Sequence, residues 1–182
     1  MVIGGQTSGT GQLAATASTS ETPVSLLKIT PSPSSPTQPT GWITLLGGVG
    51  TGKTHLLAAV ANALMYTTAR PLYCVVPEFL AFLRESFDAG QSESCSRRFE
   101  LVRNAGVLLL DDLGAEKESE WTQEQLYRVI NHRYNEGLPT LIASNLPLSE
   151  IEPRIASRLR DTRIDQVIVM SGPDYRARNV TA

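Results

Sequence analysis

Residues 45–56, LLGGVGTGKTHL, combine a glycine-rich stretch with a lysine and a threonine at a spacing that suits phosphate chemistry. Gly47, Gly52, Lys53 and Thr54 fit the pattern G-x-x-x-x-G-K-[ST]. Glycine lacks the Cβ that would keep backbone N–H groups away from phosphate oxygens, and it tolerates positive φ. Lys53 would neutralise the β and γ phosphates of a nucleotide, and the Thr54 hydroxyl would bind Mg²⁺. The stretch therefore predicts a nucleotide site, and the alternative is a glycine-rich turn with an exposed lysine. The predicted nucleotide-binding residues are Gly47, Gly48, Val49, Gly50, Thr51, Gly52, Lys53, Thr54 and His55.

A pair of carboxylates supplies what a nucleotide loop lacks for hydrolysis. In VLLLDDLG, Asp111 and Asp112 follow four apolar residues typical of a buried strand. Ligands of open parallel sheets bind at the carboxyl ends of the strands. We expect Asp111 to hold the metal ion, directly or through water, and Asp112 to orient or activate the attacking water. Alone, the pair would equally suit the beginning of a turn.

Two later segments offer further polar groups for a phosphate site. TLIASNLP ends an apolar strand in Ser144 and Asn145, although SNLP alone favours a turn. The segment IEPRIASRLRDTR follows, and its arginines suit bidentate phosphate contacts, including contacts to a phosphate on a neighbouring subunit. For at least two of the four, the alternative is an exposed basic helix face. These arginines are Arg154, Arg158, Arg160 and Arg163.

Short apolar runs alternate with helical patterns from residue 42 onward, which is typical of an α/β fold with a parallel sheet. Thr122 and Gln125 suggest a capping box for one helix, and Gly137 suggests its end. The predicted strands are 42–46, 72–76, 107–111, 140–144 and 166–170, and the predicted helices are 53–67, 78–87, 122–136 and 154–160.

Composition divides the chain near Gly41. Residues 1–41 are rich in Gly, Ser, Thr and Pro and carry only Glu21 and Lys28 as charges, which is typical of a flexible segment. Residues 24–30, VSLLKIT, could instead add a strand or dock as a short arm. We therefore predict a flexible N-terminal segment, 1–41, and one globular domain, 42–182.

The remaining bulk features narrow the class of protein. A formal net charge of −2 excludes a strong overall positive field, so any DNA contact is a local patch. Cys74 and Cys95 form no CxxC pattern, and they suit reduced thiols better than a disulfide. His55 and His132 belong to no metal-ligand pattern. The sequence has no long apolar run, so we expect a cytoplasmic protein with no membrane partner.

Five segments, GGVGTGKTHL, LLLDDLGAE, TLIASNLP, RIASRLRD and GPDYR, occur in an order that resembles one known family. They are similar to the AAA+ ATPase domain of bacterial DnaC/DnaI-type replicative helicase loaders over residues 42–176. The resemblance implies a P-loop NTPase fold, a three-layer sandwich whose parallel sheet has the order 5-1-4-3-2. Because the sequence ends six residues after Arg176, we expect little or no C-terminal helical lid, with Arg176 acting from a short turn.

The resemblance also implies roles for individual side chains. Asn145 would be the sensor 1 residue, Arg176 the sensor 2 arginine, and Arg158 an arginine finger acting in trans within a homo-oligomer. Together with Lys53 and Asp112 they form the predicted catalytic set. The reaction implied is hydrolysis of ATP to ADP and phosphate, with Mg²⁺ bound by Thr54 and Asp111.

A DNA surface is implied by two further segments of the resemblance. LRESF places Arg84 and Phe87, and ESEW places Ser119 and Trp121, where helicase loaders contact single-stranded DNA. A cation for phosphates and rings for base stacking bind single strands without reading their sequence. The alternatives are that Phe87 belongs to the core and that Trp121 packs against the start of its helix.

The function that the resemblance implies is the ATP-dependent loading of a DnaB-type replicative helicase onto single-stranded DNA. Loaders of this family carry a folded N-terminal module that grips the helicase, and residues 1–41 do not resemble one. Two alternatives stay open: an IstB-like transposition helper that assembles on duplex DNA, and a nucleotide-dependent binding module that does not hydrolyse ATP.

Overall fold

A five-stranded parallel sheet forms the centre of the computed structural model, which describes residues 39–116 and 119–176. The strands are β1 (Trp42–Leu46), β2 (Pro71–Val75), β3 (Val107–Leu113), β4 (Thr140–Ser144) and β5 (Asp165–Val169). Their order is β2-β3-β4-β1-β5, so the predicted order 5-1-4-3-2 is confirmed. Strands β2 and β5 begin one residue earlier than the sequence pattern indicated. Predictions for residues 1–38 lie outside the described residues.

Helices cover both faces of the sheet, as a three-layer sandwich requires. The helices are α1 (Lys53–Leu64), α2 (Val76–Asp88), α3 (Ser92–Arg103), α4 (Glu120–Asn135) and α5 (Pro153–Leu159). One hydrophobic cluster packs α1 against one face, and a second packs the other four helices against the opposite face. The carboxyl ends of all five strands therefore meet at one edge between two helical layers. Among the described residues, every helix is too short or too polar to span a membrane.

Helix α3 is missing from the sequence prediction because its pattern is weak. Of its twelve residues only Phe99 and Val102 are buried apolar side chains. Two apolar contacts in three turns give little 3.6-residue periodicity. The helix forms because those two residues add to the large hydrophobic cluster on that face.

Two helix ends differ from the predicted positions for local hydrogen-bonding reasons. Helix α1 ends at Leu64 instead of residue 67, because the Thr67 N–H and hydroxyl both donate to the Leu64 carbonyl. Helix α4 is capped by Ser119 instead of Thr122. The Ser119 hydroxyl accepts from the Thr122 N–H at 3.2 Å, and the Ser119 N–H donates to the Thr122 hydroxyl at 2.9 Å. The predicted capping box of Thr122 with Gln125 is therefore wrong, since Thr122 is already the third helical residue.

A buried arginine fastens the helical layer to the sheet. Arg133 of α4 is fully buried and donates to the Thr140 hydroxyl and to three backbone carbonyls at 2.7–3.0 Å. Burial lowers the pKa of Arg133 to about 10, which leaves it charged at neutral pH. Because its partners lie before β3 and at the start of β4, this one side chain fixes the connections that lead into both strands.

At the opposite edge of the sheet from the strand ends, Asp165 begins β5 beside Trp42 of β1. The carboxylate is buried, and its Oδ2 accepts from the Thr44 hydroxyl at 2.7 Å. Its Oδ1 is buried without a hydrogen-bond partner among the described residues. Burial raises the pKa of Asp165 to about 6, against the lowering effect of the Thr44 bond.

Candidate nucleotide-binding site

The loop from β1 to α1 forms an open cradle of backbone donors. Gly50 and Gly52 have φ of 73° and 93°, a region that side chains with a Cβ rarely adopt. Helix α1 begins at Lys53 without a side-chain cap and without an acidic residue in its first turn. The first N–H groups of the helix therefore stay available to an anion, and the helix dipole favours negative charge there.

Lys53 is held inside this loop by the loop itself. Its side chain is 6% exposed, and Nζ donates to the carbonyls of Gly47 at 2.7 Å and Gly48 at 2.8 Å. Burial lowers the pKa of Lys53, while Asp112 and Asp111 act in the opposite direction. The lysine is therefore not an exposed residue of a glycine-rich turn. Its ammonium group lies close enough to both carboxylates for their negative charge to act on its pKa.

The acidic pair sits on an irregularity of the sheet. The register of β3 with β4 shifts between Leu110 and Leu113, which frees the two aspartates from regular pairing with β4. Asp112 has φ of 57°, a left-handed conformation that is costly for a residue with a side chain. Bulges beside active sites commonly re-aim side chains. Here Asp112 follows the start of the bulge and lines the nucleotide cavity.

Asp111 is held from two sides. The residue is only 2% exposed. Its Oδ1 accepts a hydrogen bond from the Asp112 N–H at 3.0 Å, and its Oδ2 accepts one from the Tyr73 hydroxyl. Burial and the bond to Asp111 raise the pKa of Tyr73 above its ordinary value. The tyrosine therefore remains a donor at neutral pH. Each carboxylate oxygen keeps a lone pair beyond the bond that it accepts.

Asn145 directly follows β4, the strand that lies between β1 and β3. The preceding Ser144 ties the neighbouring elements together, since its hydroxyl donates to the Leu113 carbonyl at 2.6 Å and its carbonyl accepts from the Gly47 N–H at 3.3 Å. Asn145 is exposed to the cavity, between the phosphate loop and the acidic pair. A side-chain amide there reaches a bound phosphate or a water beside it.

The phosphate loop, Asp112 and Asn145 line one cavity of about 710 Å³, a size typical of small-molecule sites. Thr54 of the first turn of α1 lines it, together with apolar atoms of Leu56, Ala59 and Met170. The cavity therefore offers a polar end for phosphates and an apolar wall for a flat ring. Its loop and catalytic lining comprises Val49, Gly50, Thr51, Gly52, Lys53, Thr54, His55, Asp112, Asn145 and Arg176.

The segment after β5 closes one side of the cavity. Residues 175–176 form a short 3₁₀ turn, so Arg176 lies on a turn, and no α-helix forms in the described residues 170–176. The Tyr175 N–H donates to the Gly50 carbonyl at 3.1 Å, and the Arg176 N–H donates to Asp174 Oδ1 at 2.8 Å. Arg176 is near enough to Lys53 for its charge to act on the pKa of the lysine. The terminal turn is thus docked on the phosphate loop.

The oxygen ligands of this site fit a magnesium ion. Mg²⁺ is usually held by one or two carboxylates together with waters and substrate phosphates, and it prefers hard oxygen ligands. Asp111 supplies a buried carboxylate whose orientation is fixed by two hydrogen bonds, and Thr54 supplies a hydroxyl in the cavity. The donor set therefore matches the ion that the sequence pattern predicts.

Arg158 lies away from this cavity, on α5 against α4. Its guanidinium donates to Asn131 Oδ1 at 2.8 Å and to the Tyr127 hydroxyl at 3.3 Å, and it lies over the rings of Tyr127 and Tyr134. The structure therefore does not bring Arg158 to the nucleotide cavity of its own chain. The other arginines of the segment face solvent, and Arg154 and Arg163 pair with acidic neighbours.

The four residues of the predicted DNA surface lie together, and we call them the Arg84–Trp121 patch: Arg84, Phe87, Ser119 and Trp121. Arg84 Cζ lies 5.3 Å from the centre of the Trp121 ring, and its Nη2 donates to the Ser119 hydroxyl at 3.4 Å. Phe87 is 69% exposed, so it does not belong to the core. Trp121 is half-buried and packs against the large cluster, so it also supports the start of α4.

Sequence reasoning missed two contributors to the site. Tyr73 lies on a different strand from Asp111, and nothing in its local sequence marks its hydroxyl as a partner. Asp174 lies against Gly50, so closely that a Cβ on Gly50 would overlap its carboxylate. Asp174 is the aspartate of GPDYR, one of the segments that carry the family resemblance, so the sequence did contain a signal for this residue.

Comparisons with known proteins agree with this geometry. The sequence profile of the family described as Bacterial DnaA ATPase domain matches residues 23–169, and the match begins upstream of residue 42. The replicative helicase loader DnaI of Bacillus subtilis (strain 168) is 35% identical over 109 residues, covering 59% of this chain and 34% of that relative. The chain spans between about a third and about a half of the length of the first curated relatives that it matches.

Two solved structures of helicase loaders share the fold. The crystal structure of the DnaC helicase loader has a TM-score of 0.63 and 26% identity, covering 72% of this chain and 78% of that one. The crystal structure of DnaI has a TM-score of 0.61 and 29% identity, covering 72% and 73%. With the profile match over most of the chain, these likenesses show that the chain belongs to the AAA+ family of bacterial DnaA-type ATPase domains and helicase loaders.

Proposed function

We propose that this chain is an ATP-hydrolysing AAA+ protein that helps to load a DnaB-type replicative helicase onto single-stranded DNA in the cytoplasm. The supporting observation is the convergence of the phosphate loop, Asp112 and Asn145 on one cavity, in a chain whose relatives include helicase loaders. We further propose that residues 42–182 form the ATPase domain and that residues 1–41 are a separate flexible segment.

We propose the following roles of individual side chains in hydrolysis. Backbone N–H groups from Gly50 to Lys53 and the Lys53 ammonium bind the phosphates of ATP, and the Thr54 hydroxyl and Asp111 hold Mg²⁺. When bound, the metal ion neutralises charge on the phosphate oxygens. Asp112, which lines the cavity, accepts a proton from the attacking water, and Asn145 orients that water.

Binding of the phosphates displaces contacts that Lys53 makes in the structure. Its ammonium gives two short hydrogen bonds to loop carbonyls, and a phosphate oxygen offers a charged acceptor in their place. Arg176 contacts the γ phosphate from the terminal turn. Arg176 lies near enough to Lys53 to lower the pKa of the lysine, so an anion bound by both cations relieves their mutual repulsion.

We propose that Arg158 acts on ATP held by a neighbouring subunit of a homo-oligomer. Its position on α5, remote from its own cavity, suits a finger supplied in trans. In the single chain its guanidinium is held by Asn131 and Tyr127. Assembly exchanges these neutral partners for a γ phosphate, and the resulting affinity difference links ATP binding to assembly.

The Arg84–Trp121 patch is the proposed contact with single-stranded DNA. Arg84 offers a cation for a phosphate, while Phe87 and Trp121 offer faces on which bases stack. The cation lies over one ring and the other ring is exposed, so both kinds of contact are presented on one surface. Such a surface binds strands of any sequence.

Phosphate release with and without single-stranded DNA tests the proposed activity. We expect the parent chain to release phosphate faster with DNA, and Lys53→Ala to lose this activity. Arg158→Ala should keep ATP binding but lose stimulated turnover, whereas the control Arg163→Ala, at an arginine 82% exposed in the same region, should keep both.

A mixing experiment tests the trans arrangement directly. Arg158→Ala has an intact cavity and Asp112→Asn an intact finger, so an interface between the two variants restores one working site. Part of the turnover should therefore return when the inactive variants are mixed. Activity that never returns, in variants that assemble normally, would refute a finger in trans, and a parent that binds ATP without turnover would indicate a binding module.

Anisotropy measurements with single strands and duplexes of equal length test the DNA proposal. Phe87→Ala should weaken single-strand binding by about 1–3 kcal/mol if a base stacks on that ring. The control Tyr66→Ala removes an aromatic ring that is 93% exposed on another part of the surface, and it should change nothing. A preference for duplex, with capture of a transposase instead of a helicase, would favour the IstB-like alternative.

A further inference from the structure

Tyr73 joins an outer strand of the sheet to the acidic pair. It lies on β2, which forms one edge of the described sheet and pairs in parallel with β3. The register sets Tyr73 opposite Leu109 and Val75 opposite Asp111. Residues two apart along a strand share one face, so the Tyr73 and Asp111 side chains lie on the same face of the sheet. The Tyr73 hydroxyl bridges the remaining gap and donates to Asp111 Oδ2.

This bond completes the support of a carboxylate that would otherwise turn. The Asp112 N–H holds Asp111 Oδ1 from within the bulge, and Tyr73 holds Oδ2 from the neighbouring strand. One bond allows rotation about the last side-chain torsion, whereas two bonds on different oxygens fix the plane of the group. The free lone pairs of Asp111 then point in a set direction.

We propose that Tyr73 is a positioning residue that orients Asp111 for the magnesium ion of the nucleotide site. This inference rests on the proposed function, because it assumes that Asp111 binds the metal ion. Partners that orient metal ligands typically contribute 10–100-fold to metal affinity. Tyr73 touches neither nucleotide nor metal in this proposal, so its effect passes through Asp111 alone.

The position of Tyr73 separates this role from simple packing. Its residue is 38% exposed on the outer strand, so its ring is only partly enclosed. A tyrosine there would reach water with its hydroxyl at little cost, yet the hydroxyl is turned inward to a buried carboxylate. Tyr73→Phe keeps the ring and removes only the donor.

The test measures ATP affinity of Tyr73→Phe across a range of Mg²⁺ concentrations and in EDTA, with a fluorescent ATP analogue as probe. We expect the magnesium-dependent part of the affinity to fall about tenfold, while affinity in EDTA stays at the parent value. Tyr134→Phe is the matched control, because Tyr134 donates to Asp161 at 2.6 Å on another part of the molecule. It should leave both affinities unchanged.

A double-mutant cycle with Asp111→Asn completes the test. If Tyr73 acts through Asp111, Tyr73→Phe should have no further effect in the Asp111→Asn background. Unchanged magnesium dependence in Tyr73→Phe would overturn the inference while leaving the proposed function intact, as would an equal loss of affinity with and without Mg²⁺. A parent chain that binds no ATP would overturn both.

Discussion

Replacing Asp165 with asparagine isolates the effect of one buried carboxyl on the pH dependence of stability. Asp165 lies at the edge of the sheet opposite the nucleotide cavity, and burial raises its pKa to about 6 from 3.8. A raised folded-state pKa means that folding favours the protonated form. The contribution to stability is fully present below pH 3.8, falls as pH rises towards 6, and is absent above 6.

The size of the effect follows from the two pKa values. The pKa of Asp165 is about two higher in the folded chain than in the unfolded chain, which corresponds to about 3 kcal/mol of free energy of unfolding. Between pH 4.5 and 7.5 the parent should therefore lose about 2 kcal/mol that Asp165→Asn retains. The cost of burying the asparagine amide does not depend on pH, so it changes the free energy of unfolding of the variant by the same amount at both pH values.

Urea unfolding of both chains at several pH values measures this difference. The free energy of unfolding of Asp165→Asn, measured relative to that of the parent, should increase as pH rises from 4.5 to 7.5. Thr44→Val should steepen the pH dependence of the parent, because its hydroxyl lowers the pKa of Asp165. Parallel pH profiles for the parent and Asp165→Asn would refute the assignment of a raised pKa to this carboxyl.

Three further substitutions probe other parts of the structure. Gly50→Ala should abolish ATP binding in calorimetry while the chain stays folded. The reason is that the added Cβ would lie 2.9 Å from the Cα of Asp174, at a φ of +73° that residues with a side chain rarely adopt. Normal binding would contradict the observed docking of the terminal turn on the phosphate loop. Arg133→Met should cost at least about 3 kcal/mol in urea unfolding, because buried carbonyls lose their donor, and a cost below about 1 kcal/mol would contradict this. Phe87→Ala should leave the free energy of unfolding within about 0.5 kcal/mol of the parent value, since the Phe87 ring is 69% exposed. A larger loss would indicate that Phe87 belongs to the core.

The parts of the structure that local sequence encodes were predictable. The phosphate loop combines glycines with a lysine at fixed spacing, and each predicted strand is a short apolar run bounded by glycine, proline or polar residues. The sheet order came from the family resemblance, because strand neighbours depend on contacts far apart in the chain. The structure places Arg176 on a short turn.

Features that depend on long-range contacts could not be predicted. The Tyr73 bond to Asp111 requires the register of β2 with β3, which no local pattern fixes. Helix α3 forms through two buried contacts, so its own periodicity is weak. The conformation of Asp112 arises from the bulge between β3 and β4, whereas the sequence pattern ends this strand at residue 111 and leaves the acidic pair equally suited to a turn. In each case the cause is a neighbour that is distant in sequence.

Calorimetric titration of ATP with Mg²⁺ measures whether the β1–α1 loop and the acidic pair form a nucleotide site. We expect saturable uptake of one ATP per chain by the parent. We also expect severe loss of that uptake in Lys53→Ala, with the fold unchanged by circular dichroism. A folded parent that takes up no ATP, or a Lys53→Ala variant that binds as tightly as the parent, would contradict the proposed nucleotide site.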